Sequence, residues 1–161
     1  MEDVSLEMED AGSPDAQWAM AQYFAELDAR LPAGFAASDA QAGLDDARTH
    51  LNPPHGRFLV ARRSGVVVGC GGVTLLDEVT AEVKRMWVSA AARGSGLGRR
   101  LLTRLEEEAR ALGRTTVVLD TNGVLTPAIA MYESAGYRRR DRYNDNPYAE
   151  VWFTKELTPP A

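Results

Sequence analysis

The sequence predicts a single domain of mixed α/β class, because strands and helices alternate along it. A chain of 161 residues has the ordinary length of one domain and is long enough to bury a sizeable core. The clearest unit, at 81–113, is a strand, a loop dense in glycine and an amphipathic helix. An apolar run rich in β-branched residues follows at 115–121, as expected of a strand at the centre of a sheet.

The N-terminal third predicts a short strand at 4–8 and then two helices. Serine, proline and aspartate at 13–15 supply a helix cap, a first-turn proline and an acid near the positive end of the helix dipole. Apolar residues at helical spacing extend this helix over 14–30. A weaker helix is expected at 39–50, inside a stretch that is otherwise irregular.

Two strands at 57–63 and 66–76 form a hairpin around the Ser64-Gly65 turn. The segment Gly-Cys-Gly-Gly at 69–72 predicts a bulge or a close backbone approach inside the second strand. The chain then turns toward the strand of the central unit.

In that strand, at 81–88, Glu82 and Lys84 share one face if pairing is regular, and Arg85 points to the other. A bulge would change this alternation. The chain ends with a helix at 126–136 and two strands at 137–143 and 149–155. The polar segment between these strands, at 144–147, is either a plain turn or the border of a binding pocket.

Composition argues against several classes of function. A net charge of −5 disfavours nucleic acid as the main partner. The N-terminus is acidic and no apolar run is long enough for a membrane, so we expect a cytoplasmic protein without a membrane partner. The single cysteine, Cys70, fits a reducing compartment and is interpreted as a small buried thiol. His50 and His55 lack metal-ligand spacing, so no metal site is expected.

The loop Arg-Gly-Ser-Gly-Leu-Gly at 93–98 predicts an anion site at the start of the following helix. Its glycines let backbone N–H groups approach a ligand, and the helix start adds unpaired donors and the positive dipole end. A plain flexible loop is the alternative. A phosphate-cradling loop would need a lysine and a hydroxyl where Arg99 and Arg100 stand, and a dinucleotide fingerprint would need a glycine at Arg99.

The same segment resembles the acyl-CoA signature Arg/Gln-x-x-Gly-x-Gly/Ala of the GNAT family of N-acetyltransferases, with Arg93, Gly96 and Gly98 at its fixed positions. The segment at 127–137 resembles the second signature of that family, a helix bearing Ala-x-x-x-Tyr followed by Gly-aromatic. Tyr132 occupies the tyrosine position. On its own, Tyr132 would be interpreted as a core aromatic. The chain departs from the pattern early in this helix, where leucine stands at the position of a frequent asparagine.

The resemblance implies the GNAT fold, a mixed and mostly antiparallel sheet of six or seven strands flanked by about four helices. A parallel pair at its centre would admit the cofactor, and a bulge near Met86 and Trp87 would expose N–H groups to the pantetheine arm. The chain would be one N-acetyltransferase domain over 1–161, with its cofactor-binding core at about 79–137.

The implied reaction moves an acetyl group from acetyl-CoA to an amine, which attacks the thioester directly. Tyr132 is the candidate acid, because a phenol with a pKa of about 10 remains protonated and can donate to the thiolate. Glu82 is the candidate base, through water; the alternative is a strand carboxylate paired with its cationic neighbours. Backbone N–H of Trp87 or Val88 would polarise the carbonyl.

The resemblance also implies a set of cofactor contacts, which are Met86, Trp87, Val88, Arg93, Gly94, Ser95, Gly96, Leu97, Gly98, Arg99 and Asn122. Tyr23 and Glu26 lie beside the apolar stripe of the helix at 14–30 and could meet the acceptor, with a solvated helix face as the alternative. Arg85 and Arg139, if they lie near the site, could bind an acceptor amine that carries a carboxylate.

The acceptor would be a small-molecule amine or a peptide, and a homodimer is an expectation from the family. The rival interpretation is an acyl-CoA sensor or a catalytically silent interaction module of the same fold, which would bind CoA without turnover. A nucleotide-binding domain is disfavoured by the glycine spacing.

Overall fold

The computed structural model describes residues 3–159 of the chain. Its strands are β1 (Val4–Met8), β2 (Gly56–Arg63), β3 (Val66–Leu75), β4 (Thr80–Val88), β5 (Thr116–Thr121), β6 (Arg138–Arg140) and β7 (Val151–Glu156). Its helices are α1 (Pro14–Arg30), α2 (Ala37–His50), α3 (Leu97–Ala111) and α4 (Thr126–Ser134), with a 3₁₀ turn at Ala90–Ala92. Most of these boundaries lie within two residues of those that the sequence predicts.

The seven strands found in 3–159 form one sheet in the order β1-β2-β3-β4-β5-β7-β6. All neighbours are antiparallel except β4 and β5, which run parallel. Their pairing covers only three residues, from Thr80 with Thr116 to Glu82 with Val118. Beyond Glu82 the two strands diverge, so a cleft opens at the centre of the sheet. The expected sheet with its central parallel pair is confirmed.

A β-bulge interrupts β4 just after this divergence. Cys70 pairs with Trp87 and Gly72 pairs with Lys84, so two residues of β4 stand opposite Gly71 alone. Arg85, the first of these two, adopts a φ of +61°. The bulge expected near Met86 and Trp87 is therefore present, beginning one residue earlier.

The glycines of β3 allow the layers of the fold to come together. A Cβ on Gly71 would lie 2.9 Å from Leu105 Cδ1 on α3, and one on Gly69 would lie 2.9 Å from the Trp87 carbonyl oxygen. Cys70 between them is fully buried, and its Sγ donates to the Arg85 carbonyl at 3.3 Å. The predicted close approach and the predicted buried thiol are both confirmed.

Helices cover both faces of the sheet. Leu101 and Leu105 of α3 join Ile129 of α4 in the core on one face, and Met20 and Phe24 of α1 lie in the core on the other. Burying each of these side chains contributes about 1.5–3 kcal/mol, so both helical layers are firmly attached. The cleft between β4 and β5 is thereby enclosed from both sides.

The C-terminal strands differ most from the sequence prediction. A strand was expected at 137–143, but β6 ends at Arg140. Residues 141–150 leave the sheet because their side chains bind other elements instead of extending the ladder, as Asn144 does with Asp120 at 2.6 Å. The segment that the sequence presents as a strand end is therefore part of a long loop over the cleft.

Among residues 3–159, no helix has the length and apolar character needed to cross a bilayer.

Candidate active site

Two cavities open where β4 and β5 diverge. The smaller, of about 430 Å³, lies beside the start of α3, and the larger, of about 550 Å³, is bordered by α1, the α1–α2 connection and the β6–β7 loop. A ligand in one cavity would meet a ligand in the other at the residues that line both. These residues are Tyr23, Leu27, Met86, Leu125, Ala128 and Tyr132.

The glycine loop bounds the smaller cavity. Gly94 and Gly96 adopt φ values of +80° and +83°, which residues with a side chain rarely enter. Within the described part of the chain, no side chain caps α3, so the N–H groups of its first turn are left without helical partners. Unpaired donors at a helix start, together with the positive dipole end, form a site for an anion such as a diphosphate.

The other residues of the loop contribute backbone more than side chain. Ser95 Oγ donates to the Ala92 carbonyl at 2.5 Å, which closes the loop on itself. The Leu97 side chain is buried in the core. A Cβ on Gly98 would lie 3.1 Å from the Met131 sulfur of α4, so a larger residue there would require this side chain to shift. Arg99 is exposed beside the cavity, and its Nη1 donates to a serine of α4 at 3.3 Å.

The free edge of β4 forms one wall of the smaller cavity. Met86, Trp87 and Val88 line it. Pairing with β5 stops at Glu82, so this part of β4 has no ladder partner on the side of the cleft. An open strand edge offers N–H and C=O groups to an extended ligand, as the pantetheine arm requires.

Arg93 and Glu26 form an ion pair across the smaller cavity. Arg93 Nε also donates to the Val88 carbonyl at 3.2 Å, and Glu26 also binds Arg30 at 3.1 Å. The charge of Arg93 is therefore partly neutralised, which leaves the loop amides as the main anion donors. Glu26, an expected acceptor contact, lines the smaller cavity and not the larger.

Asn122, an expected cofactor contact, lines the larger cavity and not the smaller. Its Nδ2 donates to the Tyr148 carbonyl at 2.9 Å, and its Oδ1 accepts from Val124 N at 3.0 Å. The side chain thus connects the segment after β5 to the β6–β7 loop, which shapes the larger cavity.

Two tyrosines stand where the cavities meet. Tyr132 is 7% exposed, and its ring packs between those of Tyr137 and Phe153 at 6.0 and 5.9 Å. Burial raises the pKa of the Tyr132 hydroxyl above its ordinary value, so it remains a proton donor at neutral pH. Burial also raises the pKa of Tyr23 to about 12, against the opposing effect of the Arg85 charge.

Glu82 lies in the wall of the larger cavity and is only 6% exposed. Tyr143 donates a hydrogen bond to its Oε2 at 2.5 Å, and Asn144 Nδ2 lies 3.4 Å from the same oxygen. Lys84 Nζ lies 3.7 Å from Oε1. Glu82 therefore also forms the ion pair with a neighbouring cation that the sequence analysis gave as the alternative to a catalytic role. The carboxylate is held in one orientation with Oε1 toward its cationic neighbour.

A second carboxylate, Asp120, is held by the β6–β7 loop. Asn144 donates to it at 2.6 Å and Asn146 at 3.2 Å, while Trp152 Nε1 fixes Asn144 through its Oδ1 at 2.9 Å. The sequence analysis did not single out Asp120 or Trp152. It did note the polar segment at 144–147 as a plain turn or the border of a pocket, and the second interpretation matches the structure.

Arg85 is brought to the larger cavity by the bulge. Regular alternation would place it on the opposite face from Glu82, yet both line this cavity. Its guanidinium lies over the Phe24 ring at 5.1 Å, and its Nε is buried without a hydrogen-bond partner among the described residues. A positive φ at a residue with a long side chain costs about 1–3 kcal/mol, and such strain is typical of functional sites.

Comparisons with known proteins agree with this geometry. Residues 16–137 match the model of the Acetyltransferase (GNAT) family. The chain is 45% identical over 125 residues to the "IAA acetyltransferase" of Azospirillum brasilense, covering 77% of this chain and 80% of the relative. It is 35% identical over 129 residues to the "N-alpha-acetyltransferase RimI" of Mycobacterium tuberculosis, covering 76% and 77%.

A solved structure shares the architecture. The chain resembles a GNAT family acetyltransferase from Elizabethkingia anophelis, crystallised with acetyl-CoA bound, with a TM-score of 0.70 and 17% identity over 98% of this chain and all of that one. The family match and the relatives establish what the cleft, the glycine loop and the bulge indicate. The chain belongs to the GNAT family, and it is an acetyl-CoA-dependent N-acetyltransferase.

Proposed function

We propose that the protein acetylates the primary amine of a small molecule or peptide that binds in the larger cavity, with acetyl-CoA in the smaller one. The observation that carries this proposal is the meeting of the two cavities at Tyr132 and Met86, with Glu82 in the wall of the larger one. A thioester placed at this junction would face both the buried phenol and the acceptor.

The cofactor would bind along the loop and the open strand edge. The amides at the start of α3, with Gly94 and Gly96, would donate to the diphosphate. The edge of β4 at 86–88 would accompany the pantetheine arm and bring the thioester toward Tyr132. Here the N–H of Trp87 or Val88 would donate to the carbonyl oxygen as negative charge develops on it.

The acceptor amine must lose a proton before it can attack. Glu82 would take this proton, through a water at Oε1, since within 3–159 the hydrogen bonds to Glu82 go to Oε2. The amine nitrogen then forms a bond to the carbonyl carbon, and the bond from that carbon to sulfur breaks. The leaving thiolate receives its proton from the Tyr132 hydroxyl, which burial keeps protonated.

The test is acetyl-CoA consumption across a panel of amines, with Tyr132→Phe beside the wild type. Loss of the proton donor should lower kcat by about 100-fold or more, while calorimetry gives a CoA affinity close to wild type. Tyr137→Phe is the matched control, because this neighbouring buried tyrosine lines neither cavity and binds Glu106 instead.

The result separates the rival functions. CoA binding without consumption in the presence of any amine would identify an acyl-CoA sensor or a silent module. Equal rates for Tyr132→Phe and the wild type would remove Tyr132 from the mechanism.

We also propose a cytoplasmic location, which rests on the single buried Cys70 and on the need for acetyl-CoA. A homodimer stays a prediction from the family.

A further inference from the structure

The larger cavity contains a cation that lacks an anion. Within residues 3–159, no carboxylate lies within 4.0 Å of Arg85, and its buried Nε has no hydrogen-bond partner. A guanidinium that lines a cavity without a counter-charge favours an anionic ligand. The guanidinium presents a planar fork of donors that matches a carboxylate.

The acids of the same cavity are occupied by other donors. Tyr143 donates to Glu82 at 2.5 Å, Asn144 donates to Asp120 at 2.6 Å, and Tyr148 donates to Asp39 at 2.5 Å. None of these carboxylates forms an ion pair with Arg85 in this arrangement. The cavity therefore has acidic groups on one part of its wall and an unpaired cation on another.

The bulge is what creates this separation of charge within one cavity. Glu82 and Arg85 are three residues apart on β4, about 10 Å along a strand. Without the bulge, Arg85 would point to the other face of the sheet. With it, an ammonium near the acids and a carboxylate near Arg85 fit into the same space.

Aromatic rings cover the wall between the α1 side and the β6–β7 loop. Phe35 stacks on Tyr148 at 4.0 Å and lies 5.2 Å from Phe24, which meets Tyr23 edge to face at 5.2 Å. All four residues line the larger cavity. This surface suits an apolar or aromatic body between the two charged ends of a ligand.

We propose that Arg85 binds the carboxylate of the acceptor, so that the substrate is a small amine that carries a carboxylate and an apolar body, as a free amino acid does. This proposal rests on the proposed function and narrows it. A peptide N-terminus has a neutral amide where the amino acid has its carboxylate, so it would leave the Arg85 guanidinium without a partner.

The test compares matched acceptors at constant acetyl-CoA. L-phenylalanine, its primary amide and phenethylamine share one ring and one amine, and they differ in the group offered to Arg85. We expect kcat/KM for the acid to exceed that for the amide by at least about 10-fold, which corresponds to about 1.4 kcal/mol.

Variants of Arg85 locate the origin of this preference. Arg85→Asn removes the charge with a residue that tolerates positive φ, and the ratio of kcat/KM for acid over amide should fall to near one. Arg85→Lys should retain part of the ratio, since a charge remains without the planar fork. Arg139→Gln is the control, because Arg139 is exposed on β6 and lines neither cavity, so the ratio should not change.

The possible outcomes are distinct. Equal use of acid and amide by the wild type, or better use of an N-terminal peptide, would overturn the assignment of Arg85 while leaving the proposed function intact. A preference for the acid that survives in Arg85→Asn would also overturn it. Failure to acetylate any amine despite CoA binding would overturn the proposed function itself.

Discussion

Tyr143 donates a hydrogen bond of 2.5 Å to Glu82, a residue 61 positions earlier in the chain. This contact joins the β6–β7 loop to the central strand at the point where β4 and β5 part. It fixes the carboxylate that we propose as the base, and it fixes the loop that covers the acceptor cavity. Catalytic geometry and loop closure are thus coupled through one hydrogen bond.

The first prediction concerns this bond. Tyr143→Phe keeps the ring but leaves Glu82 with weaker support, so a base held by the tyrosine should be misplaced relative to the amine. We expect kcat to fall by about 10-fold or more, with the KM for acetyl-CoA unchanged. Steady-state kinetics with each substrate varied in turn would measure both quantities.

Two further variants test whether Tyr143 acts through Glu82. Glu82→Gln should lower kcat by about 100-fold or more, because the amide cannot take a proton. Combining the two substitutions should cost little beyond Glu82→Gln alone, since Tyr143 acts through the carboxylate. Fully additive losses would contradict a positioning role for Tyr143.

The sequence predicted the structural elements that depend on local signals. The helix start at Ser13 and the glycine loop at 93–98 carry their own capping and turn chemistry, and the structure has both where expected. Local patterns could not predict which cavity Glu26 and Asn122 line, because the direction of a side chain is set by partners distant in sequence. Glu26 pairs with Arg93, and Asn122 binds the Tyr148 carbonyl. Local sequence patterns indicate neither partner.

The contacts of the β6–β7 loop were even harder to predict from local sequence. Its binding to Asp120 and Glu82 depends on strand order, which places β7 next to β5 and so carries the loop over the cleft. Residues 144–147 satisfy the rules for a simple turn, so periodicity and turn chemistry alone favoured the plain interpretation. The bulge at Arg85 was expected only from the family resemblance and from the glycines of the neighbouring strand, because one extra residue leaves no signature in the sequence of its own strand.

The second prediction compares two glycines with the same backbone conformation. Gly96 has a φ of +83° and Gly65, in the β2–β3 turn, has a φ of +78°, and a Cβ on either would meet nothing within 4 Å. Valine at either position should destabilise the fold by a similar amount, about 1–2 kcal/mol. Only Gly96→Val should weaken CoA binding, by about 10-fold or more, because it alone displaces the amides at the start of α3.

Calorimetric titration of CoA, with urea unfolding of the same two proteins, separates the effects. Normal CoA affinity in Gly96→Val would contradict the assignment of the loop to the diphosphate. Weakened affinity in Gly65→Val as well would mean that the loss reflects stability and not the loop.

The third prediction concerns alkaline pH. Burial raises the pKa of Tyr132, Tyr137 and Tyr143 above the ordinary value of 10, and raises that of Tyr23 to about 12. In the unfolded chain these groups lose their protons near pH 10, before the folded protein releases them. Their contribution to the free energy of unfolding is therefore complete below pH 10 and is lost progressively as pH rises above it.

Tyr132→Phe isolates one of these groups. The free energy of unfolding should still fall above pH 10, but by up to about 1.4 kcal/mol less per pH unit than in the wild type. Urea unfolding at several pH values between 8 and 11 would measure the two slopes. Identical slopes would show that Tyr132 ionises in the folded protein as readily as in the unfolded chain.

The fourth prediction concerns a buried ion pair on the face of the sheet that carries α3. Lys155 Nζ lies 3.1 and 3.2 Å from the two carboxylate oxygens of Glu106, and Tyr137 donates to the same carboxylate at 2.7 Å. Glu106 is buried, so Lys155→Met would leave a charge with a single donor. We expect the free energy of unfolding to fall by about 1–3 kcal/mol.

The double variant Lys155→Met with Glu106→Gln should recover part of this loss, because no buried charge then remains without a counter-charge. Arg139→Met is the control, since Arg139 and Glu133 form an exposed pair at 4.0 Å and such pairs contribute below about 1 kcal/mol. Urea denaturation at pH 7 provides the comparison. If Lys155→Met proved no more destabilising than Arg139→Met, the Glu106 carboxylate would have to be stabilised by Tyr137 and water alone, and its pairing with Lys155 would contribute nothing to the fold.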